Sequence, residues 1–116
     1  DISHGLADRE RNIVWGNQEL FDISIPYMCE FHFKNTDQFF SDTFGFSKTA
    51  FETGIVDLER LKESICAHED LWPVSPVIGY LEIGGPKLGR DYSDHLLEKQ
   101  LQDSIDSLKK AFPDME

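Results

Sequence analysis

The strongest constraint on the fold is an alternation of hydrophobic residues over the segment Phe21–Phe33. Every second residue is hydrophobic, and polar residues such as Asp22 and His32 lie between them. This period-two pattern predicts an amphipathic β-strand with one buried face and one solvated face. Because Pro26 lacks a backbone N–H, the strand is expected at a sheet edge or bulged at that residue.

The C-terminal segment carries the second clear pattern, in which apolar residues recur every three or four positions. Its members are Leu97, Leu101, Ile105, Leu108 and Phe112. This spacing predicts one buried stripe of a long helix, with Ser93 or Asp94 as its N-cap and Pro113 as its stop.

Three shorter elements are predicted between these two. Asn35–Gly45 is a short helix candidate, Asp57–His68 reads as a stronger helix, and Val77–Ile83 as a second strand. The expected fold class is α+β: a small antiparallel or mixed sheet packed against two or three helices. Residues 1–18 are predicted to be a flexible N-terminal arm with a short apolar anchor, and residues 19–116 a single domain.

Charge limits what the protein can bind. The chain of 116 residues has 22 Asp and Glu against 11 Lys and Arg, a formal net charge of −11, and the acids are spread over both halves. A hydrophobic content of 40% indicates a folded chain rather than an acidic disordered one. The negative charge argues against binding to nucleic acid or to an anionic membrane, and favours a basic protein partner.

The two cysteines, Cys29 and Cys66, do not make a disulfide framework. They are expected to be reduced, buried thiols, which favours a cytoplasmic location. The chain begins with Asp rather than Met, so both a trimmed start and a removed leader remain open.

Two constellations suggest ligand chemistry but have simpler interpretations. The loop Gly84–Arg90 lies between a predicted strand and a predicted helix, where Lys87 and Arg90 would be able to hold an anion. The loop matches no phosphate-loop motif, however, and a glycine turn is the favoured interpretation. The other set is Cys29, His32, Cys66 and His68. An odd spacing on a strand directs the first two side chains to opposite faces, so no metal site is predicted.

No catalytic residue or cofactor is predicted either. Ser93, Asp94 and His95 are the residue types of a catalytic triad, but neighbours in sequence point in different directions on a helix. The sequence therefore favours a binding protein over an enzyme.

Acidic residues that outnumber nearby cations, with aromatic residues between or beside some of them, are the candidate partner contacts. Exposed aromatics supply binding energy at interfaces, and charges supply rate and specificity. The predicted contact residues are Asp37, Asp42, Glu69, Asp70, Trp72, Asp91, Tyr92 and Asp94. A core position for Trp72 and Tyr92 is the alternative.

These features together predict an acidic inhibitor that blocks a basic protein. In size, acidity and α+β make-up the chain is similar to the immunity proteins that neutralise bacterial nuclease toxins, including those of colicin and contact-dependent inhibition systems. That similarity implies a basic toxin domain as partner, and no residue role follows from it. A small enzyme or ligand-binding domain that uses Gly84–Arg90 or the Cys and His residues, and an adaptor subunit of an assembly, are the alternatives. The oligomeric state is left open.

Overall fold

The computed structural model of the protein describes residues 1–84 and 95–114, and these residues form an α+β fold, as predicted. The strands are β1 (Leu6–Ala7), β2 (Ile13–Trp15), β3 (Glu30–Phe33) and β4 (Ile78–Leu81). The α-helices are α1 (Asn17–Ser24), α2 (Ala50–Thr53), α3 (Leu58–Ala67) and α4 (His95–Ala111), and 3-10 turns lie at Ile25–Tyr27 and Glu69–Leu71.

The strands form two small sheets rather than one. β1 and β2 pair antiparallel, whereas β3 and β4 pair parallel, in a register that runs from Glu30 opposite Ile78 to Phe33 opposite Leu81. The segment between β3 and β4 carries α2 and α3, as a parallel connection requires a long crossover.

The core is built around the inner face of β3. Phe31 and Phe33 are buried on that face, and their rings pack edge-on with centroids 4.8 Å apart. Phe21 packs edge-on against Phe31 at 5.6 Å, and Phe112 packs against Phe33 at 5.4 Å. The aromatic cluster therefore ties α1 and the end of α4 to the parallel sheet.

The predicted strand Phe21–Phe33 is wrong over its first half, where the chain forms α1 and a 3-10 turn. Phe21 and Ile25 are buried, but Ile23 between them is 54% exposed. Residues four apart share a face in a helix as well as in a strand, so only the residue midway between them separates the two structures. Pro26 suits the start of the 3-10 turn, and the alternation holds only in β3.

The predicted helix Asn35–Gly45 is also wrong: the segment is a loop closed by an antiparallel bridge between Asn35 and Phe44. Phe40 has a left-handed backbone, with φ 59°, which ends any helical run there. At the base of the loop, the buried Asn35 side-chain oxygen accepts the N–H groups of Thr36 (2.9 Å) and Val56 (3.0 Å).

The helix predicted over Asp57–His68 and the strand predicted over Val77–Ile83 are confirmed as α3 and β4. Asp57 caps α3 by accepting the N–H groups of Glu59 and Arg60.

The C-terminal helix is confirmed, but its buried stripe is shifted. Leu108 is buried, whereas Leu101 and Ile105 are more than one-third exposed. Ser104 is fully buried instead. A buried serine is tolerated there because its hydroxyl accepts the Phe46 N–H at 2.9 Å and donates to a carbonyl one turn earlier. The predicted cap residues Ser93 and Asp94 lie outside the described residues.

The N-terminal segment contacts the domain through Ile2 rather than through its predicted anchor. Ile2 is buried, and its N–H donates to the His32 carbonyl at 3.2 Å. Ile13, Val14 and Trp15 form β2, and all three are exposed. The division into an arm, residues 1–18, and a domain, residues 19–116, stays a prediction.

Candidate partner-binding surface

Asp37 and Asp42 accept hydrogen bonds from the backbone of their own loop. Asp37 accepts the N–H groups of Phe39 (2.9 Å) and Ser41 (3.0 Å) as well as the Ser41 hydroxyl. The Ser41 hydroxyl and then its N–H hold the pKa of Asp37 below its usual value, because they stabilise the carboxylate form. Asp42 accepts the Thr43 N–H at 2.8 Å. These two carboxylates shape the loop, and a role in partner contact stays a prediction.

Asp91, Tyr92 and Asp94 lie outside the described residues, so their part in the predicted surface stays a prediction. The remaining predicted contacts, Glu69, Asp70 and Trp72, lie together at the C-terminal end of α3.

Four exposed acids follow one another along α3 and the 3-10 turn after it. They are Glu59, Glu63, Glu69 and Asp70, hereafter the acidic face. None of these carboxylates forms a hydrogen bond or ion pair with a described residue. Residues 57–70 hold five acids against Arg60 and Lys62, so the local charge is negative.

A groove of about 480 Å³ lies beside the acidic face. This groove, hereafter the Trp72 groove, is lined by Ile65, Cys66, Glu69, Trp72, Pro73, Val74, Ser75 and Val77. Its apolar lining can receive an aliphatic or aromatic side chain, while the Glu69 carboxylate can meet a cation. Leu71, exposed to 49%, adds apolar surface between Asp70 and Trp72.

Trp72 belongs both to the core and to the groove. Its ring is partly buried and packs against Phe21 and Phe31, with centroids 6.1 and 6.0 Å away. The indole nitrogen is buried and has no hydrogen-bond acceptor among the described residues. Trp72 therefore packs against the core, the alternative that the sequence left open, and its role as a partner contact stays a prediction.

A Ser, a His and an Asp meet where α1 contacts α3, but their hydrogen bonds do not form a catalytic triad. The Ser64 hydroxyl donates to the Asp22 carboxylate. The His68 Nδ1 lies 2.8 Å from the Ser64 carbonyl oxygen, to which only a protonated Nδ1 can bond. That nitrogen therefore cannot accept the Ser64 proton, as a general base must. The spacing of Ser64 and His68 suggests their contact, whereas Asp22 is 42 residues away from Ser64 and gives no sequence signal.

The loop Gly84–Arg90 is described only at Gly84. This glycine lines a hollow of about 290 Å³ together with hydroxyl side chains. These belong to Thr43, Ser47, Thr49, Thr53 and Ser104. Ser104 already uses its hydroxyl within the fold. The hollow is the structural feature that keeps the ligand-binding alternative open.

Cys29 and Cys66 are free and exposed, so the prediction of buried thiols is wrong. Cys29 directly precedes β3 and Cys66 lies within α3, and the buried faces of these two elements are filled by larger side chains, Phe31 in β3 and Leu61 in α3. Within residues 1–84 and 95–114, no three His, Cys, Asp or Glu side chains come together in a way that would hold a metal ion.

Glu59 and Glu63 are members of the acidic face that sequence reasoning missed. Their four-residue spacing places them one turn apart on α3, on the side opposite the buried Leu58 and Leu61. That signal was present in the sequence, but a solvated helix face gives the same pattern.

Comparisons with protein-family models, with curated proteins and with solved structures found no match to this chain. Across the part of the chain that the structure describes, no helix combines the length and apolar character needed to cross a membrane. The case for a function therefore comes from the chain's own surface.

Proposed function

We propose that the protein is an acidic inhibitor that binds a basic protein through the acidic face and the Trp72 groove. The observation that carries this proposal is a set of four exposed carboxylates, none bonded to a described residue, next to a groove that one of them, Glu69, lines. A cationic partner surface would be drawn to the acids, and a partner side chain would fill the groove.

The class of partner follows from charge. A nuclease needs a basic cleft to hold its substrate, and an acidic protein can occupy that cleft or its rim. A basic nuclease-like toxin domain is therefore the proposed partner, and an immunity-type role the proposed activity. The two exposed thiols suit a reducing compartment, and we propose a cytoplasmic location.

The test compares two neutralised surfaces. The first variant combines Glu63→Gln, Glu69→Gln and Asp70→Asn. The control combines Glu98→Gln, Asp103→Asn and Asp106→Asn on α4, where Lys99, Lys109 and Lys110 offset the acids and Lys99 pairs with Asp103 at 2.7 Å. Both variants remove three negative charges, so the change in net charge is the same and its location differs.

The immobilised wild-type protein is first used to capture basic proteins from extract of the host cells. A captured protein qualifies as the partner only when its nuclease activity is blocked by the wild-type protein. Association rates are then measured at low and high salt. We expect the acidic-face variant to associate at least about tenfold more slowly at low salt, and the α4 control to change far less. Equal rates for the two variants, or a rate unaffected by salt in the wild type, would contradict the proposal.

A second candidate function, a ligand-binding domain, is favoured by the hydroxyl-lined hollow at Gly84. A panel of sugars and polyols would be tested for an increase in the thermal unfolding midpoint. A Thr49→Val variant that abolishes the increase would support this candidate, and no increase with any of the compounds would count against it.

A further inference from the structure

A second apolar groove, separate from the Trp72 groove, lies between the start of α3 and the end of α4. Its volume is about 440 Å³, within the range of about 300–1,000 Å³ that is typical of small-molecule sites. The apolar part of its lining, which gives it the name Phe51 groove, consists of Phe51, Val56, Leu58 and Ala111. The last three are buried, whereas Phe51 is 44% exposed and forms an aromatic edge. A ligand with an apolar side chain would cover surface that the fold leaves open.

The polar residues that line the Phe51 groove differ between its two helices. Asp57 and Glu59 belong to the N-cap and first turn of α3, whereas Ser107 and Lys110 belong to the last part of α4. Neither the Glu59 carboxylate nor the Lys110 ammonium forms a hydrogen bond or ion pair with a described residue. The groove therefore has an unpaired negative group on its α3 side and an unpaired positive group on its α4 side.

The other two polar residues of the groove are already engaged within the fold. The Asp57 carboxylate accepts the N–H groups of Glu59 at 3.0 Å and Arg60 at 3.1 Å, at the positive end of the α3 dipole. The Ser107 hydroxyl donates to a carbonyl one turn earlier in α4 at 3.0 Å. The two charges that remain to meet a ligand are those of Glu59 and Lys110.

We propose that the Phe51 groove binds a short apolar peptide in its zwitterionic form, with the peptide's ammonium group at Glu59 and its carboxylate at Lys110. The two free termini supply the opposite charges, and the apolar side chains cover the apolar lining. The proposal does not depend on the proposed inhibitor function. Glu59 also belongs to the acidic face, but the acidic-face variant keeps it, so either test can fail without the other.

The net charge of the chain separates this site from non-specific binding. A protein with a net charge of −11 attracts cations and repels anions over most of its surface. A cationic dipeptide amide would therefore bind at least as tightly as the zwitterionic dipeptide, unless a cation of the protein contacts the ligand's carboxylate. A preference for the zwitterion is thus the expected signature of Lys110.

Titrations followed by two-dimensional NMR test the proposal with three probes: leucyl-leucine, leucyl-leucinamide and N-acetyl-leucyl-leucine. We expect leucyl-leucine to bind with a dissociation constant of about 0.1–1 mM, because the ligand is small. The backbone amide signals of the residues that line the Phe51 groove should shift most. Because exposed ion pairs contribute little, each blocked probe should bind about twofold to fivefold more weakly at low salt.

Two variants assign the two ends of the peptide. Lys110→Gln should lose the preference for leucyl-leucine over the amide, and Glu59→Gln should lose most of the preference for leucyl-leucine over the acetylated probe. The matched controls are Lys109→Gln and Glu63→Gln, which change the net charge equally. Both control residues are exposed on the same two helices and lie outside the groove lining. The controls should keep both preferences.

Four results would overturn the proposal. The first is no binding of leucyl-leucine by the wild type up to about 10 mM, and the second is signal shifts confined to residues outside the groove. The third is equal or tighter binding of the amide by the wild type, since the net charge alone explains it. The fourth is a loss of preference in the control variants as large as in Lys110→Gln and Glu59→Gln.

Discussion

The loop Asn35–Phe44 and the acidic face both carry carboxylates, yet these carboxylates have different surroundings. In the loop, Asp37 and Asp42 accept N–H groups of the loop's own backbone. On the acidic face, Glu69 and Asp70 have no such bond to any residue that the structure describes. An acid that is fixed by its own backbone shapes the fold, whereas an unengaged acid can contact a partner's cation directly.

The largest effect in this comparison is expected at the base of the loop, for Asn35→Ala. Asn35, Thr36 and Val56 are all buried, so removing the Asn35 side chain leaves two buried N–H groups without an acceptor. Each such group costs about 1–3 kcal/mol, and we expect the free energy of unfolding to fall by at least about 2 kcal/mol. Urea unfolding followed by tryptophan fluorescence measures it.

Gln38→Ala is the control for that variant, because Gln38 is exposed in the same loop. Its effect should stay within about 0.5 kcal/mol. Similar losses for the two variants would show that the loop does not depend on the Asn35 bonds.

A smaller effect, dependent on pH, is expected from Asp37. Its pKa is below the usual value in the folded protein, so its contribution to stability is present above the unfolded pKa, about 3.9, and is lost as pH falls through the folded pKa. Because the Asp37 carboxylate is partly exposed and solvent screens its charge, the contribution should be under about 1 kcal/mol. We expect the wild type to be more stable than Asp37→Asn at about pH 6, and the gap to narrow at about pH 2–3. A gap that is constant over this range would contradict the assignment.

The smallest effect on stability is expected on the acidic face. Combined Glu69→Gln and Asp70→Asn removes no hydrogen bond or ion pair to a described residue. The free energy of unfolding should therefore change by less than about 0.5 kcal/mol in the same urea experiment. A loss above about 1 kcal/mol would show that these acids stabilise the fold, and would erase the contrast with the loop.

Much of the helical structure was predictable because its signals are local. The apolar spacing and the Asp57 cap define α3, and the periodicity over Leu97–Phe112 defines α4. α1 was missed because Phe21 and Ile25 satisfy strand and helix spacing alike. The loop Asn35–Phe44 was missed because its structure depends on Asp37 turn bonds and on a bridge between distant backbone groups.

The candidate surface was predictable only in part. Glu69, Asp70 and Trp72 are neighbours in sequence, so their proximity needed no knowledge of the fold. The groove beside them is evident only in the fold, because Ile65 comes from α3 and Val77 from the segment before β4. The exposure of apolar side chains also depended on the fold. The sequence of Ile13–Trp15 predicts an apolar anchor, but all three residues are exposed in β2.

The sequence by itself determined the net charge, the α+β class, the two principal helices and the positions of its acids, because these depend on composition and on neighbours within about one helical turn. The tertiary structure alone decided where the loop Asn35–Phe44 is anchored, that Ser104 takes a buried position on α4, and which residues form the Trp72 groove. Those properties depend on contacts between residues far apart in the chain, such as Asn35 with Val56 and Phe46 with Ser104. No local pattern encodes contacts of that kind.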